Sequence, residues 1–164
     1  MNRKEMLLIL DEWIIHDLQG DNGEEKQKES YKFLEKIKEK CDKICWIEGS
    51  KFSKKFYDFY EFVGKKLFGP ELRGKIALLE GSFHYNPQKV ESIRLYELNI
   101  IEVQKYNHIF KDINPDDHYL IKAYFYLRQK NIEPIIITTD KKLIETLREH
   151  NISIQHRDDF IRTY

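Results

Sequence analysis

Short apolar runs alternate with longer segments of helical periodicity, and this alternation is the feature that most constrains the fold. The clearest runs are residues 6–10, 44–47 and 135–137. Continuous runs of this length are typical of strands that are buried on both faces of a parallel sheet. We therefore predict an α/β fold, a three-layer sandwich in which a central, mainly parallel sheet is covered by helices on both faces.

Between these runs, the apolar positions of residues 24–40 and 50–63 recur at helical spacing, and Ser50 is placed to cap the second of these helices. Asn114-Pro115-Asp116 opens a later helix, and residues 152–154 form a closing strand followed by a terminal turn at 159–161. Residues 75–79 and 93–96 are predicted strands, so an inserted β-rich segment is expected at about 75–106. No linker divides the chain, and one domain over 1–164 is expected.

The charge balance limits the classes of partner. Lys plus Arg and Asp plus Glu each number 28, so a formal net charge of zero excludes global electrostatic attraction to nucleic acid or membrane. Any contact with a polyanion must depend on a local surface. The first apolar run is too short for a signal peptide or a membrane span, so we expect a cytoplasmic protein without a membrane partner.

Acidic residues follow the apolar runs at two strand ends and begin one helix. Asp11 follows the first run, Asp140 follows residues 135–139, and Asp116 and Asp117 lie in the first turn of the later helix. The carboxyl ends of parallel strands share one edge of a sheet, so these carboxylates should converge there. Crowded carboxylates repel one another unless a cation neutralises them, and oxygen ligands suit Mg²⁺ or Mn²⁺. The alternative is that each Asp only caps a helix or turn.

Three segments resemble the motifs of the PIN nuclease family. Residues 7–11 resemble its first strand ending in Asp, residues 116–123 its acidic helix, and residues 135–143 its late strand with Thr-x-Asp. The resemblance implies a PIN-like fold and an endoribonuclease that cleaves RNA with metal-activated water. It implies Asp11, Asp116 and Asp140 as metal ligands and catalytic residues. In the family motif an Ala follows the functional Asp by seven residues, and Ala123 lies seven residues after Asp116. The resemblance therefore favours Asp116, and Asp117 stays an alternative.

One position departs from the family pattern. Lys55 stands where PIN domains usually carry a Glu early in the helix after the second strand, and Glu48 or Glu12 could replace that acid. If neither does, the resemblance implies a catalytically degenerate PIN-like module that binds RNA or protein. A third class comprises phosphoryl-accepting receivers and phosphatases, in which an acid after the first strand, here Asp11, is the nucleophile. It is disfavoured because receivers resemble a pattern with a lysine after a late strand, whereas this chain has acids at both late positions of the pattern, Asp116 and Asp140.

The remaining candidates are residues that could contact nucleic acid or support the site. Thr138 either hydrogen-bonds the carboxylates or is only a strand residue. A basic helix face either contacts phosphates or is simply solvated. The PIN resemblance implies RNA, an antitoxin-like protein and a second copy of the chain in a homodimer as partners, in toxin–antitoxin pairs or in RNA processing. The basic face comprises Lys51, Lys54, Lys55, Lys65 and Lys66.

Overall fold

The structure, a computed structural model, describes residues 5–64, 70–84 and 86–164. Within these ranges five parallel strands form one sheet in the order β3-β2-β1-β4-β5. This confirms the predicted α/β class and the parallel sheet. The strands are β1 (Leu7–Leu10), β2 (Lys43–Glu48), β3 (Val90–Arg94), β4 (Pro134–Thr138) and β5 (Ile154–His156).

Helices connect the strands and cover the sheet. Helix α1 packs against α2, α3 and α4, whereas α6 packs against β1 and β4. Short 3₁₀ helices span Leu95–Ile100, Val103–Tyr106 and Pro115–Asp117, and Glu80–His84 is π-helical. None of the helices in the described ranges combines the length and apolar character that a bilayer span requires. The α-helices are α1 (Trp13–Gln19), α2 (Glu24–Glu39), α3 (Lys51–Gly64), α4 (Pro70–Leu79), α5 (Asn107–Phe110), α6 (His118–Gln129), α7 (Lys141–Glu149) and α8 (Arg157–Thr163).

The pairing of β1 with β4 positions the candidate site. Every residue of β1 is buried, and Leu10 lies opposite Ile137 in the parallel register. The amide of Asp11 donates to the Ile137 carbonyl at 3.3 Å, which extends the pairing one residue beyond the strand. The indole Nε1 of Trp13 donates to the same carbonyl at 2.8 Å. These bonds fix the chain just after β1 beside the end of β4.

Ser50 caps α3 as predicted, because its hydroxyl accepts from the amide of Ser53 at 3.3 Å. The Gly49 amide in turn donates to the Ser53 hydroxyl at 2.9 Å. Gly49 has a φ of 85°, in the left-handed region that costs a residue with a Cβ but not glycine. Three small residues, Gly49, Ser50 and Ser53, therefore define the turn from β2 into α3.

Two local predictions are wrong. Residues 75–79, predicted as a strand, belong to α4, which starts at Pro70 and carries Glu71 in its first turn, as helix starts favour. A short apolar run does not distinguish a strand from a buried helix, and Ala77 and Leu78 are good helix formers. The β-rich expectation for 75–106 therefore holds only for β3 among the described residues. The terminal turn at 159–161 is part of α8, and the strands predicted at 93–96 and 152–154 are displaced, since β3 spans Val90–Arg94 and β5 spans Ile154–His156.

Candidate functional site

Asp11 lies at the carboxyl end of β1 with its carboxylate held on both oxygens. Its Oδ2 accepts from the hydroxyl of Thr138 at 2.9 Å, and its Oδ1 accepts from the amide of Glu12 at 2.7 Å. Burial raises the pKa of Asp11, and these two hydrogen bonds act in the opposite direction. The carboxylate is thus oriented by neighbours that hydrogen-bond its ionised form.

Thr138 links Asp11 to Asp140. Its side chain is fully buried, and its hydroxyl also accepts from the amide of Asp140 at 3.1 Å. Of the two interpretations of Thr138, the structure supports the hydrogen-bonding one. Asp140 itself caps α7, since its Oδ1 accepts from the amide of Leu143 at 3.0 Å. The capping interpretation is therefore correct for Asp140, and its exposed carboxylate still lies on the same edge of the sheet as Asp11.

Asp117 shares its electrostatic environment with the acids at the strand ends. Partial burial raises the pKa of Asp117 to about 6, with further contributions from the charges of Asp11, Asp140 and Glu12 and an opposing contribution from Lys51. The Asp117 side chain makes no capping bond to α6. Asp116 is exposed and lines a neighbouring cavity.

Asp116 and Asp117 both lie in a short 3₁₀ turn before α6, so the spacing in the sequence does not decide between them. Pro115–Asp117 is 3₁₀-helical, and the amide of Asp116 donates to the Asn114 side chain at 3.0 Å. A 3₁₀ turn advances by a different angle per residue than an α-helix, so a count back from Ala123 does not give the direction of either Asp side chain.

We define the acidic cluster as Asp11, Glu12, Asp117 and Asp140. Lys51 is the cation that pairs with it. Glu12 is almost fully buried, and its Oε2 lies 2.9 Å from the Nζ of Lys51. The hydrogen bond to Glu12 raises the pKa of Lys51, and the charges of Asp117 and Asp11 act in the same direction. Of the two acids that could replace the family Glu, Glu12 belongs to the cluster and Glu48 does not.

Tyr119, in the first turn of α6, adds a hydroxyl to this neighbourhood. Its side chain is buried, and its Oη has no hydrogen-bond partner within the described part of the chain. Burial raises the pKa of Tyr119, and the negative charges of Asp11, Glu12 and Asp117 raise it further. Sequence reasoning assigned Tyr119 no function, because a buried tyrosine on an apolar helix face is ordinarily a core residue.

A cavity of about 550 Å³ adjoins the acidic cluster at the start of α3. Its wall includes Lys51, Lys54, Lys122, Asp116 and Tyr119. We call it the basic cavity. Lys51 belongs to both features, since it lines the basic cavity and pairs with Glu12 of the acidic cluster.

The chemistry of the acidic cluster fits a hard divalent cation. Carboxylate oxygens are the ligands that Mg²⁺ and Mn²⁺ prefer. Burial and then the charge of Asp11 raise the pKa of Asp117, and a bound cation would favour its ionised form. Within residues 5–64, 70–84 and 86–164, no group of three His, Cys, Asp or Glu side chains is already arranged to hold an ion. Binding of an ion would therefore require some of these carboxylates to rotate. Asp140 is exposed and Asp117 is partly exposed, whereas Glu12 is buried.

No protein-family model matches the sequence, and no curated protein is significantly similar to it. The likeness to PIN domains therefore stays a prediction from the sequence motifs.

The other predicted residues lie outside the acidic cluster. Glu48 accepts from the indole of Trp46 at 2.8 Å and from the hydroxyl of Tyr57 at 3.2 Å, so its carboxylate serves an aromatic contact between β2 and α3. Lys55 is half-buried on α3 and is not part of the cavity wall, whereas Lys54 is. The lysine beside the acids is Lys51. Lys65 and Lys66 lie outside the described residues.

Proposed function

We propose that the chain is a divalent-metal-dependent endoribonuclease of the PIN type. The observation that carries the proposal is the convergence of Asp11, Asp117 and Asp140, from three distant parts of the chain, on one edge of the parallel sheet. The raised pKa of Asp117 supports a shared electrostatic environment. Mg²⁺ or Mn²⁺ would be held by these carboxylates, with Glu12 as a fourth acid. Asp117 takes the role that the motif resemblance gave to Asp116.

Each residue has a separate task in this proposal. A bound divalent ion would supply an activated water and stabilise charge on the phosphodiester. Thr138 and the Glu12 amide hold Asp11 in one orientation. Asp117, half-exposed and not engaged in capping, is free to turn toward the ion. Ionised Asp117 is disfavoured without a counter-ion, so this cost is recovered when a cation binds.

The substrate class and partners follow from the resemblance. RNA is the substrate that PIN nucleases imply, and a toxin in a toxin–antitoxin pair and an RNA-processing enzyme are both consistent with the acidic cluster. An antitoxin-like protein, a homodimer and a cytoplasmic location belong to the same proposal.

Cleavage of a mixed-sequence single-stranded RNA carrying a fluorophore and a quencher, with Mn²⁺ or Mg²⁺ present, tests the proposal. Asp11→Asn and Asp117→Asn should lower the rate by at least about a hundredfold, because each removes a charged ligand. Asp58→Asn, at an exposed position of α3, is the matched control and should cleave within about twofold of the wild type. Metal-independent cleavage, or equal rates for Asp11→Asn and the wild type, would reject it.

A second candidate is a non-catalytic RNA- or protein-binding module. The ion pair between Lys51 and Glu12 favours it, because an ammonium beside the acids partly takes the place of a metal ion. Mn²⁺ titration by calorimetry separates the two. The nuclease proposal expects binding by the wild type and none by Asp11→Asn. The module expects no binding by the wild type, and Mn²⁺ binding to appear only in Lys51→Gln.

A further inference from the structure

The basic cavity has the properties of an anion site that the acidic cluster does not use. Lys51, Lys54 and Lys122 contribute three ammonium groups to its wall, and Asp116 is the carboxylate that opposes them. Within the described part of the chain, Lys54 and Lys122 make no ion pair, whereas Lys51 is bound to Glu12. Two lysines are therefore available to a ligand, and a third is shared with the neighbouring acids.

Two further features of the wall supply hydrogen-bond donors. The cavity opens at the N-terminus of α3, a helix of 14 residues whose first amide groups carry partial positive charge. Tyr119 also lines the cavity, and its buried hydroxyl has no partner within the described residues. A buried hydroxyl without a partner destabilises the fold, and an acceptor oxygen of a ligand would supply that partner.

We propose that the basic cavity binds one nucleotide of an RNA strand, with its backbone phosphate against Lys54, Lys122 and the start of α3. The position of this nucleotide, next to the phosphodiester cleaved at the acidic cluster, rests on the proposed function. A volume of about 550 Å³ exceeds that of a phosphate alone, and Leu95 and Asn99 offer an apolar surface and an amide for the rest of the nucleotide.

The connection between the two sites favours a strand over a small anion. Lys51 contacts Glu12 and also lines the cavity, and Asp116 of the cavity wall precedes Asp117 of the acidic cluster in the chain. A polyanion that crosses both sites places successive phosphates near each of them, whereas an isolated phosphate reaches only one. Lys51 then separates the phosphate in the cavity from the carboxylates.

The first experiment measures fluorescence anisotropy with a fluorescein-labelled, mixed-sequence single-stranded RNA of about twelve nucleotides, in EDTA so that no cleavage occurs. Lys54→Gln/Lys122→Gln should weaken binding roughly tenfold and make the slope of log K against log[salt] shallower by about 0.7, because one phosphate contact is lost. The control Lys36→Gln/Lys38→Gln removes the same charge from exposed positions near the end of α2, at the opposite edge of the sheet, and should change affinity less than about twofold. Equal loss in both variants, or none in either, overturns the proposal.

The second experiment uses Asp116, the carboxylate in the wall of the basic cavity. Asp116→Asn should tighten RNA binding in EDTA about two- to fivefold, because it removes the carboxylate that opposes the phosphate. Unchanged or weaker RNA binding by Asp116→Asn overturns the assignment. Thermal unfolding of each variant verifies that the fold is retained.

The outcomes separate this inference from the proposed nuclease. If no RNA is cleaved but Lys54→Gln/Lys122→Gln loses RNA binding, the cavity binds RNA and the nuclease proposal fails. If RNA is cleaved with Mn²⁺ but the lysine variant binds and cleaves as the wild type does, the nuclease proposal stands and the cavity assignment fails.

Discussion

At the scale of single residues, Asp117 shows how a partly buried carboxyl group can lower the stability of the fold that carries it. Its carboxyl is half-buried among Asp11, Asp140 and Glu12, and its pKa is raised to about 6. The native state therefore holds a proton on Asp117 at a pH where the unfolded chain has released it. Stability from this group is present at low pH and is lost as the pH rises to about 6.

Asp117→Asn should consequently stabilise the protein in EDTA at pH 8. We expect a gain of about 1 kcal/mol, reduced for solvent screening of a half-exposed group, or roughly 2–4 °C in Tm for a chain of this size. At pH 5 the gain should be smaller, because wild-type Asp117 is then largely protonated. Thermal denaturation at both pH values measures it. Asp116→Asn is the adjacent control and should leave Tm nearly unchanged; a loss of stability in Asp117→Asn at pH 8 would contradict the electrostatic assignment.

At the scale of secondary-structure elements, the register of β1 against β4 does most to build the site. It places Asp11 beside Thr138, and the Thr138 hydroxyl joins Asp11 to the amide of Asp140. Two strand ends and the start of α7 are thereby connected through one buried oxygen. The aspartates contribute negative charge, and the Thr138 hydroxyl orients the carboxylate of Asp11.

Thr138→Val tests this connection, because valine has nearly the same shape and retains the strand while removing the hydroxyl. We expect Mn²⁺ affinity to fall roughly tenfold, the lower end of the usual effect when a hydrogen bond to a metal ligand is removed. Isothermal titration calorimetry measures the affinity. Thr138→Ser restores the hydroxyl and should recover most of it. Equal Mn²⁺ affinities for the valine variant and the wild type would show that Thr138 does not orient Asp11.

At the scale of the whole molecule, a buried ionic network joins the two ends of the chain. Arg157, in α8, is almost fully buried and contacts Asp17 of α1 at 2.9 Å and Glu29 of α2 at 2.5 Å. The hydroxyl of Ser30 donates to Asp17 at 2.6 Å, and Arg157 donates to that hydroxyl at 3.0 Å. Because none of these residues belongs to the acidic cluster or lines the basic cavity, we assign the network to stability.

Arg157→Met should destabilise the protein by roughly 3–5 kcal/mol, since it leaves the buried carboxylate of Asp17 without its cation. Urea denaturation measures the free energy of unfolding. Arg162→Met removes an exposed arginine of the same helix, paired with Asp159, and should cost less than about 1 kcal/mol. Adding Asp17→Asn to Arg157→Met should recover part of the loss, and a cost for Arg157→Met as small as that for Arg162→Met would be inconsistent with a buried ionic network.

Much of the architecture was predictable from local sequence. The apolar runs located β1, β2 and β4, and the class followed because runs without polar alternation need a covered, parallel sheet. The placement of Asp11 and Asp140 at one edge followed as well, since both come after apolar runs that pair in parallel. The strand predicted at residues 75–79 was wrong, because a short apolar run is compatible with a strand and with a buried helix.

Tertiary structure alone decided which acids influence one another, which lysine accompanies them and where a cavity forms. Asp117 interacts electrostatically with Asp11, and Lys51 rather than Lys55 pairs with Glu12. Sequence patterns report whether a position is apolar and how positions repeat along one element. They do not report the relative rotation of two elements that are distant in the chain, and the distances between charges at this edge depend on that rotation.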